Sequence, residues 1–217
     1  MKQTVDWHRH WESEKPGFHE GQVNACLRQY LSIFNLQAGD TIFMPLCGKA
    51  VDMLWLSEQG FKVIGVELSR VAVESFFEES GLSFGAEQQG PFTLYQSENI
   101  TLYQGDFMFM EARYLRDCKL LYDRASIVAI EPFNRVSYQR KTHALLPVAT
   151  PILMVLLDYN QSQMQGPPFS VSVDEVRGLY GGQYQVELLQ SEELIEVQPH
   201  WKVKGLTSLI ESALRLT

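Results

Sequence analysis

The sequence predicts an α/β domain built on a mostly parallel sheet, and three observations carry that reading. Two apolar runs of strand length, TIFMPL at residues 41–46 and FKVIGVEL at 61–68, flank a helical pattern through Val51, Leu54, Trp55 and Leu56 that stops at Gly60. The order then repeats, with Ser69 placed as an N-cap ahead of Val71, Val73, Phe76 and Phe77 and Gly81 closing the helix. Strand alternating with helix implies parallel pairing through right-handed crossovers. With 217 residues, 45% of them apolar, the chain is long enough for one sizeable core and short for two, so 1–217 reads as a single domain.

Ahead of the first strand, residues 1–35 begin with a polar stretch bearing Trp7 and Trp11 and continue with Val23, Leu27, Tyr30, Leu31 and Phe34 at helical spacing. We read this segment as a helical cover on an α/β core spanning 36–217. Residues 92–104 (FTLYQSENITLYQ) predict two short strands joined by a polar turn around Ser97, Glu98 and Asn99, followed by a strand-end loop at Gly105, Asp106 and Phe107. Another strand is expected over 119–122, ending at Asp123 and Arg124 ahead of the apolar stretch 125–130, then a helix bearing Tyr138, Lys141, Leu145 and Leu146, then a strand over 152–157. Beyond Gly166-Pro167-Pro168 the rhythm changes to a short helix, a strand at 184–189 and a last segment, 206–216, in which strand and helix are hard to separate. An antiparallel finish to the sheet is expected.

A formal net charge of −8, from 18 basic and 26 acidic residues, opposes non-specific attraction to nucleic acid or an anionic membrane, so a small-molecule partner is expected. Cys26, Cys47 and Cys118 are odd in number and widely spaced, which suggests neither a disulfide framework nor a zinc knuckle. With no apolar signal core at the N-terminus and no run long enough to span a bilayer, the expected setting is the cytoplasm, as a monomer.

In open α/β sheets ligands sit beyond the carboxyl ends of the strands, so the candidate site residues are those at strand ends. The first end, Leu46-Cys47-Gly48-Lys49, has one glycine where a dinucleotide fold shows several, which disfavours NAD and suits a cofactor without phosphate such as S-adenosylmethionine. Glu67 closes the second strand 19 residues after Gly48, where a carboxylate accepts the hydroxyls of a ribose; an acid placed at the start of the next helix is the ordinary alternative. Asp106 and Phe107 suit an adenine amino group and a purine face, although Gly-Asp also makes ordinary turns. Asp123 and Arg124 form a charged pair near buried strand, either functional or a structural ion pair with Asp123 holding the guanidinium. His8, His10 and His19 with Glu12 or Glu14 lack the spacing of a metal motif, and no metal is expected. Cys47 has no partner base in the sequence to make it a nucleophile, and Trp7 and Trp11 are either surface aromatics or a lid over a cationic ligand.

The run PLCGKAVDMLWLSEQGFKVIGVELS at 45–69 resembles the signature of the thiopurine S-methyltransferase family, bacterial type, and YDRASIVAI at 122–130 and GPPFSV at 166–171 resemble two further segments of it. Trp11 followed by Phe18 and His19 is similar to the family's opening segment, so the resemblance spans nearly the whole chain. It implies a single-domain class I methyltransferase fold, Rossmann-like, with S-adenosyl-L-methionine as donor and aromatic or heterocyclic thiols as acceptors, and more loosely selenium or tellurium species. By position it implies Trp11, Leu46, Glu67 and Arg124 around the cofactor, Asp106 and Phe107 near the adenine, and Phe18 beside the acceptor. The departures lie in VQPHWKVKGL at 197–206, where some relatives carry an arginine near the acceptor. For the chemistry, the expected catalytic residue is Arg124, orienting the acceptor or its thiolate. The rival readings are an NAD-dependent oxidoreductase on a similar sheet and a non-catalytic protein that kept the cofactor fold.

Overall fold

Strand β1 (Thr41–Pro45) is buried at every position, as expected of a strand covered on both faces. Its side chains alternate: Phe43 enters the core on one face of the sheet, Ile42 and Met44 the core on the other. This computed structural model describes residues 5–12 and 21–217. β1 pairs in parallel with β2 (Lys62–Glu67) on one side and β6 (Cys118–Arg124) on the other. The β2 side continues through parallel β5 (Ile100–Gln104) to antiparallel β4 (Phe92–Ser97) and β3 (Gly85–Gln89). The β6 side continues through parallel β7 (Ile152–Asp158) to β9 (Ile210–Leu216) and β8 (Val186–Glu193), both pairings antiparallel. The nine-stranded order is β3-β4-β5-β2-β1-β6-β7-β9-β8. The chain therefore leaves β1 in one direction and returns to its other side at β6, and the crevice between their carboxyl ends is where such a sheet binds ligands.

Helices cover both faces. α2 (Ala25–Tyr30), α3 (Asp52–Glu58) and α4 (Arg70–Ser80) supply Leu27, Met53, Leu56, Val73 and Phe76 to the core that contains Ile42 and Met44. α5 (Arg135–Leu145) and α6 (Val173–Tyr180) supply Tyr138, Leu145, Val176 and Tyr180 to the core that contains Phe43. The expected stop and start signals operate: Ser69 Oγ accepts from Ala72 N at 3.3 Å, and Gly81 ends α4 in the left-handed region at φ 67°. α1 (Trp7–Glu12) precedes this framework and α7 (His200–Val203) interrupts the chain between β8 and β9.

The expected hairpin at 92–104 forms as β4 and β5, and the antiparallel finish is present. β3 is unexpected from sequence because GAEQQ is an exposed edge strand with no apolar alternation. The last segment is strand rather than helix, and the second-last strand lies at Val186–Glu193, two residues later in its start than read from the sequence. The apolar stretch after Arg124 is a 3₁₀ turn (Ile127–Ala129) and not an extension of strand; it is apolar because Ile127 and Val128 are buried.

Candidate active site

At the end of β1 the chain turns sharply. Leu46 takes φ 47° and Gly48 takes φ 53°, while Cys47 N donates to Val66 O at 3.1 Å and keeps the loop against β2. A left-handed leucine costs about 1–2 kcal/mol and is retained where the surroundings over-determine it, which happens most at ligand sites. Gly48 has a second reason to lack a side chain, since a Cβ there would lie 2.8 Å from Cζ2 of the Trp11 indole. Gly48→Ala is expected to push Trp11 off the loop and lower Tm by about 3 °C or more, with weaker ligand binding; unchanged melting and unchanged tryptophan fluorescence would contradict this packing.

Glu67, at the end of β2, is 5% exposed. Its Oε2 accepts from Gly48 N at 2.9 Å and its Oε1 from Ser69 N at 2.8 Å, so the carboxylate ties the first loop to the N-terminus of α4. Burial raises its pKa from the ordinary value, opposed by those backbone N–H groups. Each oxygen retains capacity to accept a further hydrogen bond. Past β5, the Asp106 side chain accepts from Met108 N at 2.8 Å and starts a 3₁₀ turn (Phe107–Phe109), which sets the Phe107 ring 5.3 Å from that of Tyr138.

At the end of β6, consecutive side chains point to opposite faces, and this corrects the expected ion pair. Asp123 does not hold Arg124: its Oδ1 accepts from Ile127 N at 3.0 Å and its Oδ2 from the Tyr138 hydroxyl at 2.7 Å. Asp123 thus anchors the 3₁₀ turn beneath the loop. Ala125 sits at φ 60°, and the buried Ser126 hydroxyl donates to Pro45 O at 2.6 Å, clipping the loop after β6 to the end of β1. Burial pushes the Asp123 carboxyl up to about 6, against the three hydrogen bonds, from Ile127, Tyr138 and Ser126, that lower it. A raised carboxyl pKa means that the folded state holds the proton more tightly than the unfolded one, so this group's contribution to stability is present below the unfolded value and is lost as pH rises through the folded one. Relative to Asp123→Asn, the wild type should lose about 3 kcal/mol between pH about 4 and 6. Denaturant unfolding of both proteins across that window checks it, and parallel curves would contradict it.

These strand ends open into one cleft of about 930 Å³, its solvent-facing mouth included. Trp11, Leu46, Glu67, Asp106, Phe107 and Arg124 all line it. Phe18, expected at the acceptor, lies outside the described residues, as do His19 and Glu14. Among the described residues no three His, Cys, Asp or Glu side chains gather as a metal site. Burial, with Glu67 adding to it, holds the Cys47 thiol well above its ordinary range, which argues against a nucleophile. The lining also includes Trp7 and Lys49, which the sequence placed in the candidate lid and on the first loop, and Ala129 and Ile130, which were not among the site candidates. Trp7 stands one helical turn before Trp11 and so shares its face, and both rings border the cleft. Nothing in the sequence distinguishes Ser126 from an ordinary loop serine.

The sequence profile of the thiopurine S-methyltransferase family matches residues 2–217. The chain belongs to that family. It is thus a methyltransferase of the S-adenosylmethionine-dependent class. Among its family relatives, a thiopurine S-methyltransferase of Pseudomonas aeruginosa is 41% identical over 210 residues, covering 97% of this chain and 96% of that one. One from Pseudomonas putida is 43% identical over 211 residues, covering 97% of each. Among solved structures, a TehB-like S-adenosylmethionine-dependent methyltransferase from Corynebacterium glutamicum superposes with TM-score 0.55 at 12% identity, over 96% of this chain and 95% of that one. Phosphoethanolamine N-methyltransferase 2 from Haemonchus contortus, solved with S-adenosyl-L-methionine, superposes with TM-score 0.64 at 12% identity, over 98% of this chain and 60% of that one. These two likenesses show the fold that this family member shares. No helix among the described residues is long and apolar enough to cross a membrane.

Proposed function

We propose that the cleft seats S-adenosyl-L-methionine and that the enzyme transfers its methyl group to the sulfur of a small aromatic or heterocyclic thiol. The observation that carries the seating is Glu67, a buried carboxylate at the end of β2 that keeps two backbone N–H partners and faces the same cleft as Asp106, Phe107 and Arg124. Its spare acceptor capacity suits the two hydroxyls of a ribose. The single glycine of the first loop supplies no phosphate cradle, which fits a donor lacking phosphate and counts against NAD.

When bound, the donor supplies an already activated methyl on a sulfonium, so the protein's task is to align an incoming sulfur and exclude water. Leu46 and the Trp7 and Trp11 rings present apolar and aromatic surface to the cleft, and aromatic faces attract a sulfonium charge. Asp106 and Phe107 recognise the adenine in this reading. Arg124 orients the acceptor or stabilises its thiolate, with the end of β6 fixed by Asp123 and Ser126. An aromatic thiol is acidic enough to be largely ionised near neutral pH, so no strong base is required. We also place residues 1–35 as a helical cover on the α/β core, Phe18 beside the acceptor and the protein in the cytoplasm, a setting supported by three buried cysteine thiols, none of them in a disulfide.

Isothermal titration tests the seating. S-Adenosylmethionine and its demethylated product should each bind with one site per chain while NAD does not. Binding of NAD, or of neither sulfur nucleoside, would overturn it.

A further inference from the structure

We propose that Arg135 is a positioning residue for the thiol acceptor, acting through the two loops that flank the β6–β7 side of the cleft; this rests on the functional reading above. If the adenosine lies over the ends of β2 and β5, the reacting methyl faces the ends of β1 and β6. A sulfur attacking in line then approaches from over β6 and β7. Residues 125–134 follow β6 and place Ala129 and Ile130 in the cleft lining, and residues 159–171, which follow β7, pack behind them through Phe169 and Val128.

Arg135 joins them from below. At 2% exposure it is among the largest fully buried side chains described. Its Nε donates to Ile130 O at 3.2 Å, its Nη2 to Ser170 O at 2.9 Å, and its Nη1 to both carboxylate oxygens of Glu175 on α6 at 2.7 Å. A second link runs parallel, from Phe169 N to Val128 O at 2.6 Å. A planar guanidinium serves three separate directions at once, which an ammonium on a flexible stem does not reproduce. The position of Ile130, at the cleft, is thereby coupled to the loop after β7, while the donor side is held by the independent contacts of Glu67.

The test compares wild type, Arg135→Lys and Glu175→Gln in three readouts: acceptor KM, kcat, and the Kd of the demethylated donor product. Arg135→Lys should raise acceptor KM about tenfold or more, the loss expected for a charge-assisted hydrogen bond, with the product Kd moving less than about twofold. Glu175→Gln, which keeps the shape and one acceptor oxygen, should shift acceptor KM in the same direction by about threefold. It decides the matter alone if Arg135→Lys does not fold. An unchanged acceptor KM, or a product Kd that rises in step with it, would overturn the positioning role. A wild type that binds the donor yet methylates no thiol would instead overturn the functional reading, and this role with it.

Discussion

Replacing Glu67 by alanine should weaken donor binding by about 1.5–3 kcal/mol, ten- to a hundredfold in Kd, because hydrogen bonds to a charged group are lost in a buried setting. The substitution also strips Gly48 N and Ser69 N of their acceptor, so the first loop and the start of α4 lose the group that joins them. Glu67→Gln is the sharper variant. A carboxylate offers an oxygen to each N–H, whereas an amide offers one oxygen and turns an NH₂ towards the other donor. The conservative change should therefore cost nearly as much as alanine in affinity. Titration with the demethylated donor product checks both variants, and wild-type affinity in Glu67→Gln would remove the ribose role.

Arg124 should matter to turnover more than to donor affinity. Arg124→Ala is expected to reduce kcat/KM about a hundredfold, the scale for losing one group that stabilises charge at the reacting centre. Arg124→Lys keeps the charge but loses the planar fork and should recover only part of that loss. Steady-state kinetics on an aromatic thiol, with product Kd measured alongside, separates the roles. A kcat/KM unchanged in Arg124→Lys would limit the residue to general electrostatics, and an unchanged value in Arg124→Ala would remove it from the reaction.

The parallel half of the sheet was readable because each strand is buried on both faces and bounded by turn residues, so periodicity and punctuation agree at 41–46 and 61–68. The four strand ends then had to share one cleft, which brought Leu46, Glu67, Asp106, Phe107 and Arg124 together on topological grounds. What escaped reading are features fixed by long-range partners. β3 has no pattern of its own and exists because β4 offers it an edge. Asp123 was expected to hold its neighbour Arg124, but strand geometry sends the two apart and gives Asp123 to Tyr138, which is 15 residues away. Ser126 and Arg135 acquire their roles from Pro45 and from Ser170 and Glu175, contacts that no local spacing announces. The backbone at Leu46 and Ala125 also departs from local preference: neither residue favours a positive φ, and both line the site.

The most direct test of the central claim follows the methyl group itself. The protein is incubated with S-adenosylmethionine carrying a ¹³C-labelled methyl and with 6-mercaptopurine, and the label is located by NMR. Label on the sulfur, appearing in proportion to enzyme and about a hundredfold more slowly in Arg124→Ala, is the predicted result. Label retained on the donor across a range of aromatic thiols, or delivered to a ring nitrogen, would contradict S-methyl transfer as the activity of this cleft.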